Sequence, residues 1–342
     1  MQAVPSLARM RRPQSMRRPQ SMRRPQPMRR LPLMRRRPLL TLAVAVALAP
    51  LLAGCGSSNG KGATASSGRI TAVGAENEYA NVISQIGGRY VQVSAIMSNP
   101  NTDPHTFEAS PSVAQSVGGA QLVIQNGVGY DDFMEKIEEA SPNSARKVID
   151  VQKLLGLPGS TPNPHLWYKP TTMPAVAKAL ASDLSALQPA HAAYFKANAE
   201  KFERSLQPWL RALKAFSGRH PGTTVATTEP VGDYMLEAAG IENLTPFSMQ
   251  ADIMNGTDPA PQDITLQNRL FADHEAKVFV YNQQVTDTIT EGFLEAAAAA
   301  NVPVVGVYET MPTPGYDYQS WMMAELRALE AAVSEGKSTE KL

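Results

Sequence analysis

The chain has 342 residues, 43% of them hydrophobic, with 27 Pro, 23 Gly, 3 Trp and a single Cys. This is enough for one large domain or two ordinary ones, too apolar for a disordered chain, and too interrupted for a polytopic membrane protein. A lone Cys excludes an intramolecular disulfide framework and any cysteine-clustered zinc or iron–sulfur site. The net charge of +1 averages two unlike pieces: residues 1–54 hold 12 Arg and no acid, whereas the remainder holds 20 Lys+Arg against 31 Asp+Glu, a balance of −11. No basic run follows residue 54, so no nucleic-acid partner is expected.

Residues 1–38 repeat MRRPQ-like units whose Pro and Arg density cannot build a core. Leu39–Ala53 is a 15-residue apolar stretch, short for a membrane span. A basic region, a short apolar region and then small residues form the layout of a secretory signal. The stretch ends in Leu52-Ala53-Gly54-Cys55 and resembles a bacterial lipobox, with Cys55 as the lipidated residue and new N-terminus. The expected order is a signal peptide over 1–54, with Met28 or Met34 as an alternative start that would remove the repeats. The lipidated Cys55 and a Gly/Ser tether would follow over 55–68. This puts the body on the outer face of the cytoplasmic membrane or in the periplasm.

In the body, alternation predicts a strand over 69–75, a helix from Glu76 to about Ile86, and a second strand over 90–96. A short helix follows over 112–118, then an apolar strand over 120–125, the loop Asn126-Gly127-Val128-Gly129-Tyr130, and a helix over 131–139. From Thr172 to Phe216 the pattern is helical, with a break near Gln188-Pro189 and a kink or second break expected at Pro208. Strands are then expected at 223–227, 277–281 and 302–307, and helices at 231–239, 286–299 and 317–333. The fold class is α/β: two lobes, each with a small mostly parallel sheet flanked by helices, joined by one long rigid helix. The expected bounds are 69–188 for the first lobe, 189–217 for the linking helix and 218–342 for the second lobe. A single continuous α/β domain is the alternative.

Two of the five His share one setting, Asp103-Pro104-His105-Thr106-Phe107-Glu108 and Asn163-Pro164-His165-Leu166-Trp167. In each, Pro fixes the backbone before the imidazole and an aromatic two residues on can pack the loop, which is the stiff presentation a metal ligand needs. Carboxylates occupy equivalent places in the second lobe, Glu229 after the strand TTVAT and Glu309 after the strand VPVVGV. Ligands of open α/β sheets bind beyond the carboxyl ends of strands, so four such loops can converge on one ion. Glu229 could instead cap the helix that follows it, and Asp317 or Glu325 could replace Glu309. Asn282, Gln283 and Glu108 are candidates to orient the ligands, and Asn126 and Tyr130 to shape the cleft floor. His191, His220 and His274 fall on helix, turn and charged surface.

Residues 69–335 resemble the metal-binding solute receptors of bacterial zinc and manganese ABC transporters, the ZnuA, PsaA and TroA types. The resemblance rests on NPNTDPHTFEASP at 99–111, VIQNGVGYDDFM at 123–134 and NPHLW at 163–167. It implies His105 and His165 as two ligands, Glu229 as the third where some relatives have His, a carboxylate placed at Glu309 as the fourth, and a long interlobe helix. Asn163 and Lys169 stand where many relatives have Asp, and the His-rich acidic insertion of zinc-specific members is missing. Two His and two Glu suit Mn2+ or Zn2+, carboxylates favouring the harder ion and intrinsic affinity favouring zinc.

The expected function is capture of one divalent ion outside the cytoplasm and delivery to an ABC permease by a monomeric, lipid-anchored receptor that is not an enzyme. An exported metallohydrolase is the first alternative. It would need an open coordination position and a general base, and no HExxH motif occurs. A surface adhesin or interaction protein with a structural metal is the second.

Overall fold

A computed structural model describes residues 68–342, so the expected signal peptide, Cys55 and nearly all of the tether lie outside the described residues. The first sheet is built from β1 (Ile70–Glu76), β2 (Val91–Met97), β3 (Leu122–Gln125) and β4 (Lys147–Asp150), ordered β2-β1-β3-β4 and parallel throughout. The second comprises β5 (Thr224–Thr227), β6 (Glu242–Asn243), β7 (Val278–Asn282) and β8 (Val304–Val307), ordered β6-β5-β7-β8 and also parallel. The two lobes therefore repeat one topology. β3, β7 and β8 are buried along their whole length, which is why they read as unbroken apolar runs rather than alternating ones.

Helices cover the sheets: α1 (Asn77–Gly87), α2 (Pro111–Gly118), α3 (Phe133–Ala140), α4 (Val151–Leu154) and α5 (Thr172–Leu187) precede the linker. The linker is α6 (Ala192–Arg219), entered through a tight turn at Pro189–His191. Beyond it come α7 (Asp233–Ala238), α8 (Phe247–Met254), α9 (Pro261–Ala272), α10 (Thr288–Ala299) and α11 (Tyr318–Glu335).

The 28 residues of α6 span about 42 Å. Phe195, Ala199, Phe202, Leu206, Trp209, Leu213 and Phe216 form its buried stripe at helical spacing, packed on α1, α5 and α11. The break or kink expected at Pro208 does not end the helix, which runs through it. Pro208 lies on the exposed face, where the Arg204 carbonyl it leaves unpaired can reach water, while Leu206 and Trp209 stay packed beside it.

One apolar core runs from Ile70 through the α6 stripe to Ala332, so both lobes share it. Tyr318 lies in this shared region, within 6.3–6.5 Å of Phe202, Trp209 and Trp321, and its hydroxyl donates to the Trp167 carbonyl at 2.6 Å. A shared core of this kind resists wide separation of the lobes.

Candidate metal centre

The loops of His105, Glu229 and Glu309 leave the carboxyl ends of β2, β5 and β8, and that of His165 follows the short helix α4 beyond β4. His105 follows β2, in a short 3-10 turn over Pro104–Thr106. Asp103 opens that turn, its Oδ1 accepting from the His105 N–H at 2.8 Å, and Pro104 supplies the first position, where no N–H is required. His165 lies beyond β4 and is fully buried. Its ring packs edge-on against Trp167 at 5.4 Å and Tyr130 at 5.8 Å. Glu309 follows β8 and is also fully buried.

Three of the four proposed ligands come together. His105, His165 and Glu309 each offer a donor atom, and these atoms lie within 4.8 Å of one another. The Nε2 atoms of His105 and His165 stand 3.1 and 3.2 Å from the same Glu309 Oε2, which also accepts from the Tyr130 hydroxyl at 3.0 Å. A four-coordinate ion with bonds of about 2.1 Å separates its donor atoms by roughly 3.4 Å, so these spacings lie close to what an ion would impose.

Glu229 is not within this triad but is joined to it. The Asn282 amide donates to Glu309 Oε1 at 2.7 Å and to Glu229 Oε2, leaving Glu229 Oε1 buried with no hydrogen-bond partner among the described residues. Among the described residues His105 Nε2 is buried and unpartnered as well, because its approach to Glu309 is not aligned for a hydrogen bond. Unsatisfied donor atoms on two of the four residues fit a site built to receive a cation.

The electrostatics agree. Glu309 is buried, which alone would raise it, yet the two imidazoles hold it far below the usual carboxylate range. Burial opposes charge on His105, but the adjacent Glu309 and then Asp103 prevail and hold its pKa above the ordinary value. The deeper His165 is held below it, desolvation outweighing Glu309. Burial and then the Glu309 charge push Glu229 well up. A divalent ion would relieve the repulsion between the two carboxylates.

The orienting residues differ in part from those expected. Asn126 is buried, donating to the Pro164 carbonyl at 2.8 Å and so pinning the His165 loop; its Oδ1 accepts from the Tyr79 hydroxyl at 2.7 Å. Asn282 bridges the two glutamates. Gln283 faces away, its N–H donating to the Val307 carbonyl in the sheet, and the next residue, Gln284, reaches the site instead. Glu108 is exposed, and the acid that supports His105 is Asp103. Of the alternatives to Glu309, Asp317 caps α11, while Glu325 accepts from the Tyr168 hydroxyl and the Trp321 indole.

Asn163 was readable only as a departure from the expected Asp. Its Oδ1 accepts from His165 Nδ1 at 2.8 Å and from the His165 N–H at 3.0 Å. This leaves the lone pair on Nε2, facing the triad. Gln284 lies in a bend past the end of β7, where strand alternation gives no signal, and only its hydrogen bonds reveal it.

Residues 73–332 match the model of the ZnuA family, described as zinc-uptake complex component A, periplasmic. The chain belongs to this family. Among curated proteins it is 28% identical over 162 residues to the manganese-binding lipoprotein MntA of Bacillus subtilis, covering 46% of this chain and 52% of that protein. It is 24% identical over 247 residues to the manganese ABC transporter substrate-binding lipoprotein PsaA of Streptococcus pneumoniae, covering 68% and 78%. The chain thus spans about half the length of the Bacillus relative, and 61% of a putative metal-binding protein of Thermotoga maritima. Among solved structures, the periplasmic zinc-binding protein TroA of Treponema pallidum superposes with a TM-score of 0.67 at 17% identity, covering 79% of this chain and all of that one. FpvC of Pseudomonas aeruginosa in complex with Mn2+ gives 0.64 at 21% identity, covering 78% and 99%. These superpositions establish the two-lobed fold.

Proposed function

We propose that the protein captures one Mn2+ or Zn2+ ion outside the cytoplasm and delivers it to the permease of an ABC uptake system. The observation that carries this reading is the convergence of two imidazole Nε2 atoms on one buried carboxylate oxygen, with Asn282 tying in a second carboxylate. His105, His165 and Glu309 are the ligands, and Glu229 supplies the fourth through its unpartnered Oε1. Four protein donors fill a tetrahedral shell, as carriage rather than hydrolysis requires. Membership of a family of periplasmic transport components supports the same reading.

Cys55 anchors the mature chain to the membrane by lipid, a role supported by its lipobox-like setting. The receptor acts as a monomer. Carboxylates in place of a third imidazole suit manganese, and the Bacillus and Streptococcus relatives are named for that metal; zinc has the stronger intrinsic affinity for any mixed site.

The test is metal content after stripping and exposure to equimolar Zn2+ and Mn2+. About one ion per chain is expected, lost in His105→Ala and in Glu229→Gln, with the protein still folded when stripped. No retained ion at micromolar exposure would refute the ligand assignment.

A further inference from the structure

We propose that Gln284 is a positioning residue, a clasp between the lobes that sets how fast the bound ion leaves; this rests on the metal-carrier reading above. Its side chain is buried, 6% exposed, just past the end of β7. Oε1 accepts from the N–H groups of Glu309 and Thr310 at 2.7 and 2.9 Å, and Nε2 donates to the Thr102 carbonyl at 2.7 Å. Its own N–H donates to Asn282 Oδ1 at 3.0 Å, which orients the amide that holds both Glu229 and Glu309. One residue therefore ties the backbone of the Glu309 loop to the backbone of the His105 loop in the other lobe.

The Glu309 loop has a second tether, since Asn77 exchanges two hydrogen bonds with Met311, at 2.8 and 2.9 Å. The polar contacts of Asn99, Asp103 and Thr106 stay within the His105 loop itself, so among the described residues the Gln284 bond is what ties the backbone of that loop to the second lobe, beside the approach of the His105 ring to Glu309. This loop is also the one that must open. His165 and Glu309 are fully enclosed, whereas the His105 side chain is 19% exposed. A cavity of about 240 Å³ lies against the loop, lined by Ile96, Asn99, Asp103, Phe107 and Thr310, and gives it room to move. Moving the backbone at Thr102 requires breaking the bond from Gln284.

An amide is needed here because the position both accepts and donates. Glutamate would still accept from the Glu309 and Thr310 N–H groups but would set a lone pair against the Thr102 carbonyl. Gln284→Glu thus opens the clasp while leaving the Glu309 loop held, and Gln284→Ala removes both functions. Added negative charge near a cation should slow release by itself, so faster release from Gln284→Glu can only come from the lost clasp.

The experiment measures dissociation of Co2+ into excess chelator, the Co2+ absorption spectrum, and hydrogen exchange of residues 99–106 in the metal-free full chain. Gln284→Glu should release the ion roughly tenfold faster with an unchanged spectrum, and exchange over 99–106 should accelerate while β7 and β8 stay protected. Unchanged release together with unchanged exchange overturns the proposal, as does an altered Co2+ spectrum, which would mean that the ligand set itself had moved. If the wild-type chain binds no metal, the carrier reading fails, and the exchange of 99–106 still decides whether the clasp exists.

Discussion

Replacing Asn163 separates the two jobs its side chain performs. Its Oδ1 accepts from His165 Nδ1, and its Nδ2 donates to the buried Pro230 carbonyl at 2.7 Å. Asn163→Ala removes the partner that sets the tautomer of His165. Losses of this kind weaken metal binding by about 10- to 100-fold, or roughly 1.4–2.7 kcal/mol. The lower end is expected, because Trp167 and Tyr130 still wedge the ring. The same change takes the shorter of two hydrogen bonds from the Pro230 carbonyl, leaving the one from the Asp233 N–H at 3.3 Å, and costs about 0.5–1.5 kcal/mol of stability. Asn163→Asp restores an acceptor, now charged, and makes the imidazole more basic, so affinity should match or exceed that of the wild type. Its second oxygen then faces the Pro230 carbonyl, so stability should fall at least as far as in the alanine variant. Affinity is read by competition with a fluorescent chelator and stability by urea unfolding of the stripped protein. Wild-type affinity in Asn163→Ala, or weaker binding in Asn163→Asp than in Asn163→Ala, would refute this account of how His165 is oriented.

Metal affinity should begin to fall above the ordinary imidazole value of about 6.5 as pH decreases, because Glu309 raises the pKa of His105 and the proton competes with the ion; titration across pH 5.5–8.5 checks this. In the stripped protein, the His105–Glu309 pair should stabilise most between about pH 4.3 and 6.5. The share from His105 disappears as pH rises through its elevated folded value, and the share from Glu309 disappears as pH falls toward its depressed one, so melting curves should show the loss on both sides. Burial raises Glu325 to about 8, so its folded form holds a proton that the unfolded chain gives up near pH 4.3, and stability declines between those values. Glu325→Gln mimics the protonated form, and its gain in melting temperature over wild type should grow from pH 5 to pH 8; a constant difference would contradict this. A Cβ on Gly306 would meet the Glu340 carbonyl oxygen at 1.8 Å, where the C-terminal segment pairs along β8 through Thr339. Gly306→Ala should therefore release residues 338–342 to carboxypeptidase and lower stability by about 1–3 kcal/mol; an undigested tail would show that the strand shifts to accommodate it.

Much of the fold was legible because its elements are strongly patterned. The buried runs of β3, β7 and β8, the stripe along α6 and the repeated Pro-His-x-aromatic setting are local signals, carried by neighbouring residues. Segments 141–171 and 240–276, for which the sequence reading assigned no element, hold β4, α4, β6, α8 and α9. β4 and β6 are edge strands, β4 with a single buried residue and β6 of two residues, so neither presents the buried apolar run that marks β3 and β8. Pro208 misled for a related reason, since its cost depends on which face of the helix it occupies, and that is set by packing.

Residue chemistry and chain order by themselves determined the fold class, the candidate ligands His105, His165, Glu229 and Glu309, and the loops that bear them. Only the tertiary structure decided that one Glu309 oxygen faces both imidazoles, that Glu229 joins them through Asn282, and that Asn163 and Gln284 rather than Glu108 and Gln283 do the orienting. Ligand identity is a property of single residues, and Asp103 and Asn163 act on the His two positions on, whereas the joining of the loops depends on hydrogen bonds 25 to 182 residues apart, such as Glu309 with Gln284 and Gln284 with Thr102. No local pattern records those partners, because the shared core that brings the two lobes together is what creates them.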